Sequence, residues 1–426
     1  MLFKEISKKN RYRILFIVSS TAQVEMLCPL LIELHNYDVY AINIIKESRR
    51  SEMENSLLNL GICYETIDRY NPSCAKRLLD KIRPDIVIVG HDDTPMDRLF
   101  VKSAASMDIP TLLVQDGILG PNKHLLMKEA RGIDRIGFCL KFIATSLYRV
   151  PRFVNRRDVC LPQKFEILWF ELKYGARWNG VYPGFGECLK IAAFGETAKE
   201  FWISNGIDPG RVVVTGNPKF DRLYHSNSNN CRENVYKKWN IPTDKNIILL
   251  LTQYFVEAKI WNPEQRRLFV HSVANAVAEL PNAQLIIKLH PPHEDVEDYN
   301  RIVKDLSSHP IICKYAPLAD LLHACSLAIT TSSTVALEAM ALGKPVVIAN
   351  LFGDGTGASF FKNCGAPFVE RAEDILPAMQ KILYYPKIRD NMMASMAKFV
   401  YQQAYLQDGQ ASKRIACLIR DLIASK

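Results

Sequence analysis

The stretch ITTSSTVALEAMALGKPVVI, residues 329 to 348, decides the fold. Apolar runs with the length of buried strands stand at its two ends, and the Ala-rich segment between them has the length of a helix. Leu327 to Thr331 is predicted to be a strand, a helix is predicted to begin near Thr334, and Gly343 is predicted to end that helix. The pattern therefore predicts one strand-helix-strand unit of a parallel sheet.

The same alternation recurs before and after residues 225 to 246, a polar stretch without a strand pattern. A chain of 426 residues is too long for a single core. We therefore predict an α/β protein with two Rossmann-like, doubly wound parallel-sheet domains that face a cleft. The predicted domains span residues 1–224 and 241–400, and a C-terminal helix occupies 401–426.

Composition narrows the class of protein. Apolar residues make up 48% of the chain and charged residues 23%, as in globular proteins, and the 11 cysteines are scattered without a C-x-x-C pair. We therefore expect a reduced compartment and no cysteine metal site. The apolar segment from Ile14 to Val18 is shorter than a signal-peptide core, and no run has the length of a membrane span. We expect a cytoplasmic protein, with the inner face of the cell membrane as the alternative.

The formal net charge of +9 indicates an anionic partner, which could be nucleic acid, a phosphorylated metabolite or anionic lipid. Residues 137 to 180 interleave aromatic with basic side chains inside a predicted insertion at about 120–185. One interpretation is an inserted helical layer with a solvated basic face. The other is a surface that contacts a lipid-phosphate or membrane-bound acceptor.

Polar residues follow two predicted strands of the first domain. His91, Asp92 and Asp93 end the run that begins at Arg83, and Gln115 and Asp116 end the run IPTLLV. Ligands of open parallel sheets bind beyond the carboxyl ends of the strands. These side chains therefore fall where chemistry is expected.

Five consecutive hydroxyl side chains, Thr330, Thr331, Ser332, Ser333 and Thr334, stand between a predicted strand and a predicted helix. Capping the helix needs only one hydroxyl, and capping alone is one interpretation. The other is a phosphate site, because a helix N-terminus offers unpaired N-H groups and hydroxyls add donors without adding charge.

Two further residues are candidates in the second domain. Glu338 follows the hydroxyls on the same helix, where it could accept hydrogen bonds from a ribose diol or be an ordinary exposed helix residue. His290 lies in KLHPP, where two prolines stop the strand, so it could donate to a phosphate oxygen or transfer a proton. P-loop, G-x-G-x-x-G, H-E-x-x-H and G-x-S-x-G motifs are absent from the sequence.

Four motifs in register resemble the GT-B sugar-nucleotide enzymes, among them the UDP-N-acetylglucosamine 2-epimerases, the CDP-glycerol glycerophosphotransferases and related surface-glycan glycosyltransferases. They are TGNPKFD (215 to 221), KLHPP (288 to 292), TTSSTVALEAMALGKPVV (330 to 347) and DGQASKRIACLI (408 to 419). The resemblance implies that the C-terminal domain holds the nucleotide and that the last helix, Asp408 to Ile423, braces the two halves.

The resemblance also implies roles for individual residues. His290 and the turn from Thr331 to Thr334 would contact a diphosphate, and Glu338 would contact the ribose. Asp116 is the first candidate for the base that removes the acceptor's proton, followed by Asp92, Asp93 and His91, and Glu196 would orient the acceptor. The complete set of predicted donor-binding residues is Asn217, Thr252, His290, Thr331, Ser332, Ser333, Thr334 and Glu338. The donor would be a nucleotide-sugar or a CDP-polyol, and neither a cofactor nor a metal is required.

Departures from the epimerase pattern favour a transferase. Epimerases carry T-R-P-E after the first strand, where this chain has STAQVE (20 to 25). They carry T-x-H-R where this chain has TQYFVE (252 to 257). VGHDDTP (89 to 95) and VQDG (114 to 117) stand where epimerases have H-G-D-T and E-A-G. We therefore expect an inverting transfer of a sugar or polyol phosphate to a surface polysaccharide or lipid-linked glycan, without nucleic acid as a partner. A 2-epimerase is one alternative, and a non-enzymatic protein that binds anionic lipid or RNA is the other.

Overall fold

The structure is a computed structural model that describes residues 11–45, 50–68, 74–92, 94–118, 184–226, 228–291, 293–353 and 355–425. Contacts within the chain divide it into two compact units. The first unit contains Met1–Asp221 and Asp408–Lys426, and the second contains Arg222–Gln407. The basic and aromatic stretch 137–180 lies outside the described residues, and so does Asp93.

The first unit is built on a seven-stranded parallel sheet in the order β3-β2-β1-β4-β5-β6-β7. Its central strands are short runs of branched apolar residues that are buried on both faces, as parallel strands require. The strands are β1 (Arg13–Val18), β2 (Asp38–Ile45), β3 (Cys63–Asp68), β4 (Ile86–Val89), β5 (Thr111–Val114), β6 (Lys190–Ala193) and β7 (Val212–Val214).

Helices cover both faces of this sheet, and each face has its own core. Ile17, Val89 and Trp202 belong to the core on one face, whereas Phe16 and Ile88 belong to the core on the other. The helices that begin before the second unit are α1 (Thr21–Glu33), α2 (Arg50–Asn59), α3 (Cys74–Ile82), α4 (Pro95–Ala105), α5 (Glu196–Ser204) and α6 (Pro218–Tyr224), with a 3-10 turn at Pro209–Arg211.

The second unit repeats the design with a six-stranded parallel sheet in the order β10-β9-β8-β11-β12-β13. The strands are β8 (Asn246–Leu251), β9 (Ala283–Lys288), β10 (Ile311–Cys313), β11 (Leu327–Thr330), β12 (Val346–Ala349) and β13 (Phe368–Val369). The helices are α7 (Ser228–Lys238), α8 (Pro263–Ala278), α9 (Val296–Val303), α10 (Leu318–Ala324), α11 (Val335–Ala341), α12 (Ile375–Tyr384) and α13 (Pro386–Ala404), with 3-10 turns at Ala358–Phe361 and Ala372–Asp374.

The last helix, α14 (Ala411–Ala424), belongs to the first unit. Its apolar face, which includes Ile415 and Ile419, packs into the same core as Phe16 and Leu27. The first unit is therefore assembled from both ends of the chain.

The predicted fold class is confirmed, because both sheets are entirely parallel and central strands of each, such as β4 and β11, are buried on both faces. The segment that opened the sequence analysis forms β11, α11 and β12 as predicted, with the first strand ending at Thr330. Gly343 follows α11 with φ +67°, the left-handed conformation expected of a glycine that ends a helix. In the described part of the chain, no helix combines the length and the apolar character that a membrane span needs.

Candidate active site

In the first unit, side chains beyond the carboxyl ends of β1, β4 and β5 form one hydrogen-bonded chain. Gln23, on α1, accepts the backbone N-H of Ser19 at 2.7 Å and donates to Asp116 Oδ2 at 2.9 Å. Ser19 Oγ lies 3.0 Å from His91 Nε2. The structure thus connects two of the predicted catalytic residues, His91 and Asp116, through two residues that were not predicted.

His91 has a carboxylate on its other side. Its Nδ1 lies 2.9 Å from Asp97 Oδ2, and Asp97 is almost completely buried in the first turn of α4. The same carboxylate accepts the hydroxyl of Thr94, the residue that caps α4. Thr94 therefore holds the carboxylate of Asp97 within ion-pair distance of His91 Nδ1.

Gly90 makes room for this network. A Cβ atom at this position would lie 2.4 Å from Gln23 Nε2, well inside van der Waals contact. The amide of Gln23 therefore crosses directly over the backbone of Gly90, and any larger residue would displace it.

Asp92 lies apart from this chain of hydrogen bonds. Its carboxylate is fully buried and accepts the backbone N-H groups of Gly184 at 2.6 Å and Gly186 at 2.7 Å. These bonds satisfy a segment of backbone that would otherwise be buried without partners. The geometry thus gives Asp92 an anchoring function, and its role as a base stays a prediction.

Glu196 and Asn217 follow β6 and β7 at the same edge of the sheet. Glu196 is the first residue of α5 and is partly exposed, a position where a carboxylate also interacts favourably with the helix dipole. Asn217 is buried, donates to the carbonyl of Gln115 at 3.0 Å and accepts the N-H of Lys219 at 2.9 Å. Asn217 thus links the ends of β5 and β7 in the first unit, and its role toward a donor stays a prediction.

In the second unit, the hydroxyl turn between β11 and α11 is partly occupied by internal hydrogen bonds. Thr330 donates to the carbonyl of Leu251 at 3.0 Å, and Ser333 Oγ accepts the N-H of Val335, the first residue of α11, at 3.2 Å, whereas the N-cap residue Thr334 makes no side-chain capping bond. Among the residues that the structure describes, Thr331 Oγ is buried and has no hydrogen-bond partner, and Thr334 is exposed. One hydroxyl of the five, that of Ser333, therefore satisfies an N-H group at the start of the helix.

Ser332 is positioned by Gln253, a residue that follows β8. Gln253 Nε2 donates to Ser332 Oγ at 2.8 Å, and Ser332 donates to the carbonyl of Thr356 at 2.5 Å. Thr356 lies in a glycine-rich loop after β12, in which Gly353, Gly355 and Gly357 all have positive φ angles. The turn, Gln253 and this loop meet at the carboxyl edge of the sheet.

Thr252 and His290 are brought together by a buried carboxylate that was not predicted. The carboxylate of Glu294 accepts hydrogen bonds from the hydroxyl of Thr252, from the backbone N-H of His290 at 2.6 Å and from the hydroxyl of Tyr299. Burial and the adjacent carboxylate of Glu294 raise the pKa of Tyr299 well above its ordinary value, so the phenol stays protonated and donates. Glu294 therefore fixes the turn that carries His290.

Rings gather at the same place. Tyr254, which is 40% exposed, lies with its ring centroid 4.8 Å from that of His290 and 4.5 Å from that of His293. Glu338 lies on α11 with only 3% of its surface exposed. Its burial rules out the interpretation as an ordinary exposed helix residue, and its contact with a ribose stays a prediction.

The sequence contained signals for part of what was missed. The three alternating glycines of GDGTG mark a loop that needs left-handed backbone conformations after a strand. Nothing in the sequence marks Gln23, Asp97, Gln253 or Glu294, because each reaches its partner only through the packing of separate elements.

The chain is similar to several solved structures. Solved structures with the GT-B fold match nearly the whole chain. One is UDP-GlcNAc 2-epimerase from Neisseria meningitidis bound to UDP-GlcNAc, with 16% identity, a TM-score of 0.59 and coverage of 97% of this chain and 100% of the other. Anabaena HepE in complex with UDP-glucose matches with 12% identity and a TM-score of 0.55, covering 96% and 99%. A variant of the wall teichoic acid polymerase TagF matches with 11% identity and a TM-score of 0.57, covering 98% and 90%.

These likenesses confirm the predicted GT-B fold, and no curated protein matches the sequence. The family model described as UDP-N-acetylglucosamine 2-epimerase matches residues 191–420. The chain belongs to this family, and with it to the sugar-nucleotide enzymes of the GT-B class, as the four motifs predicted.

Proposed function

We propose that the protein is an inverting glycosyltransferase or glycan-phosphate transferase. It takes a sugar or polyol phosphate from a nucleotide-activated donor and transfers it to a surface polysaccharide or a lipid-linked glycan. The solved structures offer analogous donors, since their names include UDP-GlcNAc and UDP-glucose.

One observation carries the choice of transfer over epimerisation. The stretch VQDG aligns through its glycine with the E-A-G of the epimerases, so Gln115 stands in place of their carboxylate. Its amide is buried, accepts the N-H of Phe194 at 2.8 Å and donates to the carbonyl of Gly117 at 2.7 Å. A buried amide bonded at both ends has no proton to exchange with a sugar carbon. The carboxylate of this stretch belongs instead to the next residue, Asp116, which is partly exposed.

The second unit offers a setting for a donor. In the register of T-x-H-R, Tyr254 and Phe255 stand where the epimerases carry His and Arg, so those two cationic positions are missing, and Gln253, at the x position, donates to Ser332. In the proposed reaction, the turn from Thr331 to Thr334 and His290 hold the diphosphate by hydrogen bonds, which stabilises the leaving group without a metal. Asp116 or His91 takes the proton of the acceptor hydroxyl, and Glu196 orients the acceptor.

The proposed reaction is tested with UDP-N-acetylglucosamine. UDP released only after a glycan acceptor is added supports transfer. N-acetylmannosamine, free or linked to UDP, formed without an acceptor would instead establish the epimerase, the alternative that the family match favours. A thermal-shift panel of CMP, CDP, GDP, UDP and dTDP identifies the nucleotide, because a ligand of the folded state raises the melting temperature.

The position of the donor is tested at Glu338. Glu338→Gln keeps the size of the buried side chain, so we expect weaker nucleotide binding, by about 1.5–3 kcal/mol if a charged hydrogen bond is lost, with the fold retained. The matched control is Glu279→Gln, since Glu279 is exposed at the end of α8 in the same unit. If the two variants bind the nucleotide with equal affinity, Glu338 does not contact the nucleotide.

A further inference from the structure

Ser19, His91 and Asp97 have the geometry of a nucleophile, a base and the group that orients the base. Ser19 Oγ lies 3.0 Å from His91 Nε2, and His91 Nδ1 lies 2.9 Å from Asp97 Oδ2. Such a set is recognised by geometry and roles rather than by sequence order, which here is Ser, His, Asp. Only His91 among the three was a candidate from the sequence.

The charges assign the protons. Asp97 accepts the hydroxyl of Thr94 and faces His91 Nδ1, so the carboxylate favours the tautomer that carries its proton on Nδ1. Nε2 is then left as an acceptor for the hydroxyl proton of Ser19. The alternative acceptor of that proton, Gln23 Oε1, is farther from Ser19 Oγ, at 3.4 Å.

The place of Ser19 in the fold suits a nucleophile. It follows β1 directly and precedes the 13-residue helix α1, whose capping residue is Ser20. Its backbone N-H is held by the buried Gln23, and both Ser19 and the ring of His91 are partly exposed. Ser20 Oγ accepts the N-H of Gln23, and the other N-H groups of the first turn have no intrahelical acceptor, so they can stabilise an oxyanion formed next to Ser19.

We propose that Ser19 is an activated nucleophile that cleaves carboxylic esters. Ser19 Oγ bonds to the ester carbonyl carbon while His91 Nε2 takes the hydroxyl proton. The carbon-oxygen bond to the alcohol then breaks, and the alcohol leaves with the proton from His91. Water, deprotonated by His91, releases the acid and restores Ser19. A neutral electrophile fits better than a phosphate, because Asp97 and Asp116 stand at the two ends of the network.

This activity is independent of the proposed transfer, so its test uses neither a donor nor a glycan acceptor. The full chain is treated with an uncharged alkyl fluorophosphonate, and the modified residue is located by peptide mass spectrometry. We expect one label per chain, on Ser19. His91→Gln is expected to slow labelling at least about 100-fold, the usual contribution of a general base, and Asp97→Asn is expected to slow it as well.

The control is Ser106→Ala, which removes an exposed serine at the end of α4 whose hydroxyl donates to the carbonyl of Ser103 at 2.7 Å. It should label at the wild-type rate. Absence of label from Ser19 in the wild-type chain, or an unchanged rate in His91→Gln, overturns the proposal. The site of labelling in the wild type decides the question even if a variant fails to fold.

Discussion

The carboxylate of Asp221 accepts two backbone N-H groups at the start of the last helix, that of Ala411 at 3.0 Å and that of Ser412 at 2.7 Å. The contact is buried and joins residues 190 positions apart in the chain. It satisfies two of the N-H groups that every helix N-terminus leaves unpaired, and it places a negative charge at the positive end of the helix dipole. Asp221 therefore attaches α14 to the first unit.

Asp221→Ala removes both bonds and the charge. We expect a loss of about 2–4 kcal/mol in the free energy of unfolding, because bonds to charged groups are the stronger ones and the helix also loses its cap. Asp221→Asn keeps one acceptor oxygen and should lose about half as much. Chemical denaturation of the three proteins measures the difference. Wild-type stability of Asp221→Ala would show that α14 is held by its apolar face and by the bond from Arg414 Nε to the carbonyl of Thr215.

Gly90→Ala should disturb the network of the first unit. The added Cβ would meet Gln23 Nε2 at 2.4 Å, so we expect overpacking that costs about 1–3 kcal/mol in the free energy of unfolding, with Gln23 displaced from Asp116. The matched control is Gly117→Ala, because no atom of the described residues lies within 4 Å of a Cβ at Gly117. The control should stay within about 0.5 kcal/mol of the wild type. Equal effects at the two glycines would contradict the close approach of Gln23.

Tyr299→Phe tests the buried carboxylate of the second unit. Loss of the phenol leaves Glu294 Oε1, which is fully buried, without that donor, so we expect a cost of roughly 1–3 kcal/mol in the free energy of unfolding. Nucleotide binding should weaken too if His290 contacts the donor, since Glu294 holds the His290 turn. Tyr236→Phe is the control, because the hydroxyl of Tyr236 donates to the neutral carbonyl of Lys245, and its loss should cost less. A larger effect in the control would refute this account of Glu294.

His323 makes stability depend on pH. Burial, followed by the positive charge of Lys344, lowers the pKa of His323 below its ordinary value of 6.5. The unfolded chain therefore takes up a proton that the folded chain resists, and stability should fall as pH decreases below about 6.5. The His323→Gln variant should lose less stability between pH 8 and pH 5 than the wild type does. Each protein is compared with its own stability at pH 8, where the side chains of His323 and of the Gln that replaces it are both neutral. Melting curves between pH 8 and pH 5 test this, and parallel curves for the two proteins would exclude His323 as the cause.

Much of the fold followed from local pattern. Strands such as β4 and β11 are buried on both faces, and the sequence shows them as short apolar runs ending in polar residues. This ordering located the edge of each sheet and therefore His91, Asp116, Thr252 and His290. Gly343 was also predictable, because ending a helix in the left-handed conformation is a local property.

The contacts around those residues were not predictable, because they depend on packing over long distances in the chain. Thr252 meets Glu294 across 42 positions, and Gln23 meets Asp116 across 93. His91 and Asp92 are neighbours in the sequence but have different partners: His91 contacts Ser19, whereas Asp92 binds the backbone N-H groups of Gly184 and Gly186. The sequence alone could not distinguish these two roles. Burial of Glu338 depends on which face of α11 meets the rest of the unit.

The return of α14 to the first unit has a consequence for synthesis of the protein on the ribosome. The second unit, Arg222–Gln407, is complete in sequence before Ile415 and Ile419 have been made. Until the final segment leaves the exit tunnel, the apolar surface around Phe16 and Leu27 lacks its cover. Nascent chains, and products of premature stop codons upstream of residue 411, should therefore be the forms that chaperones bind most strongly.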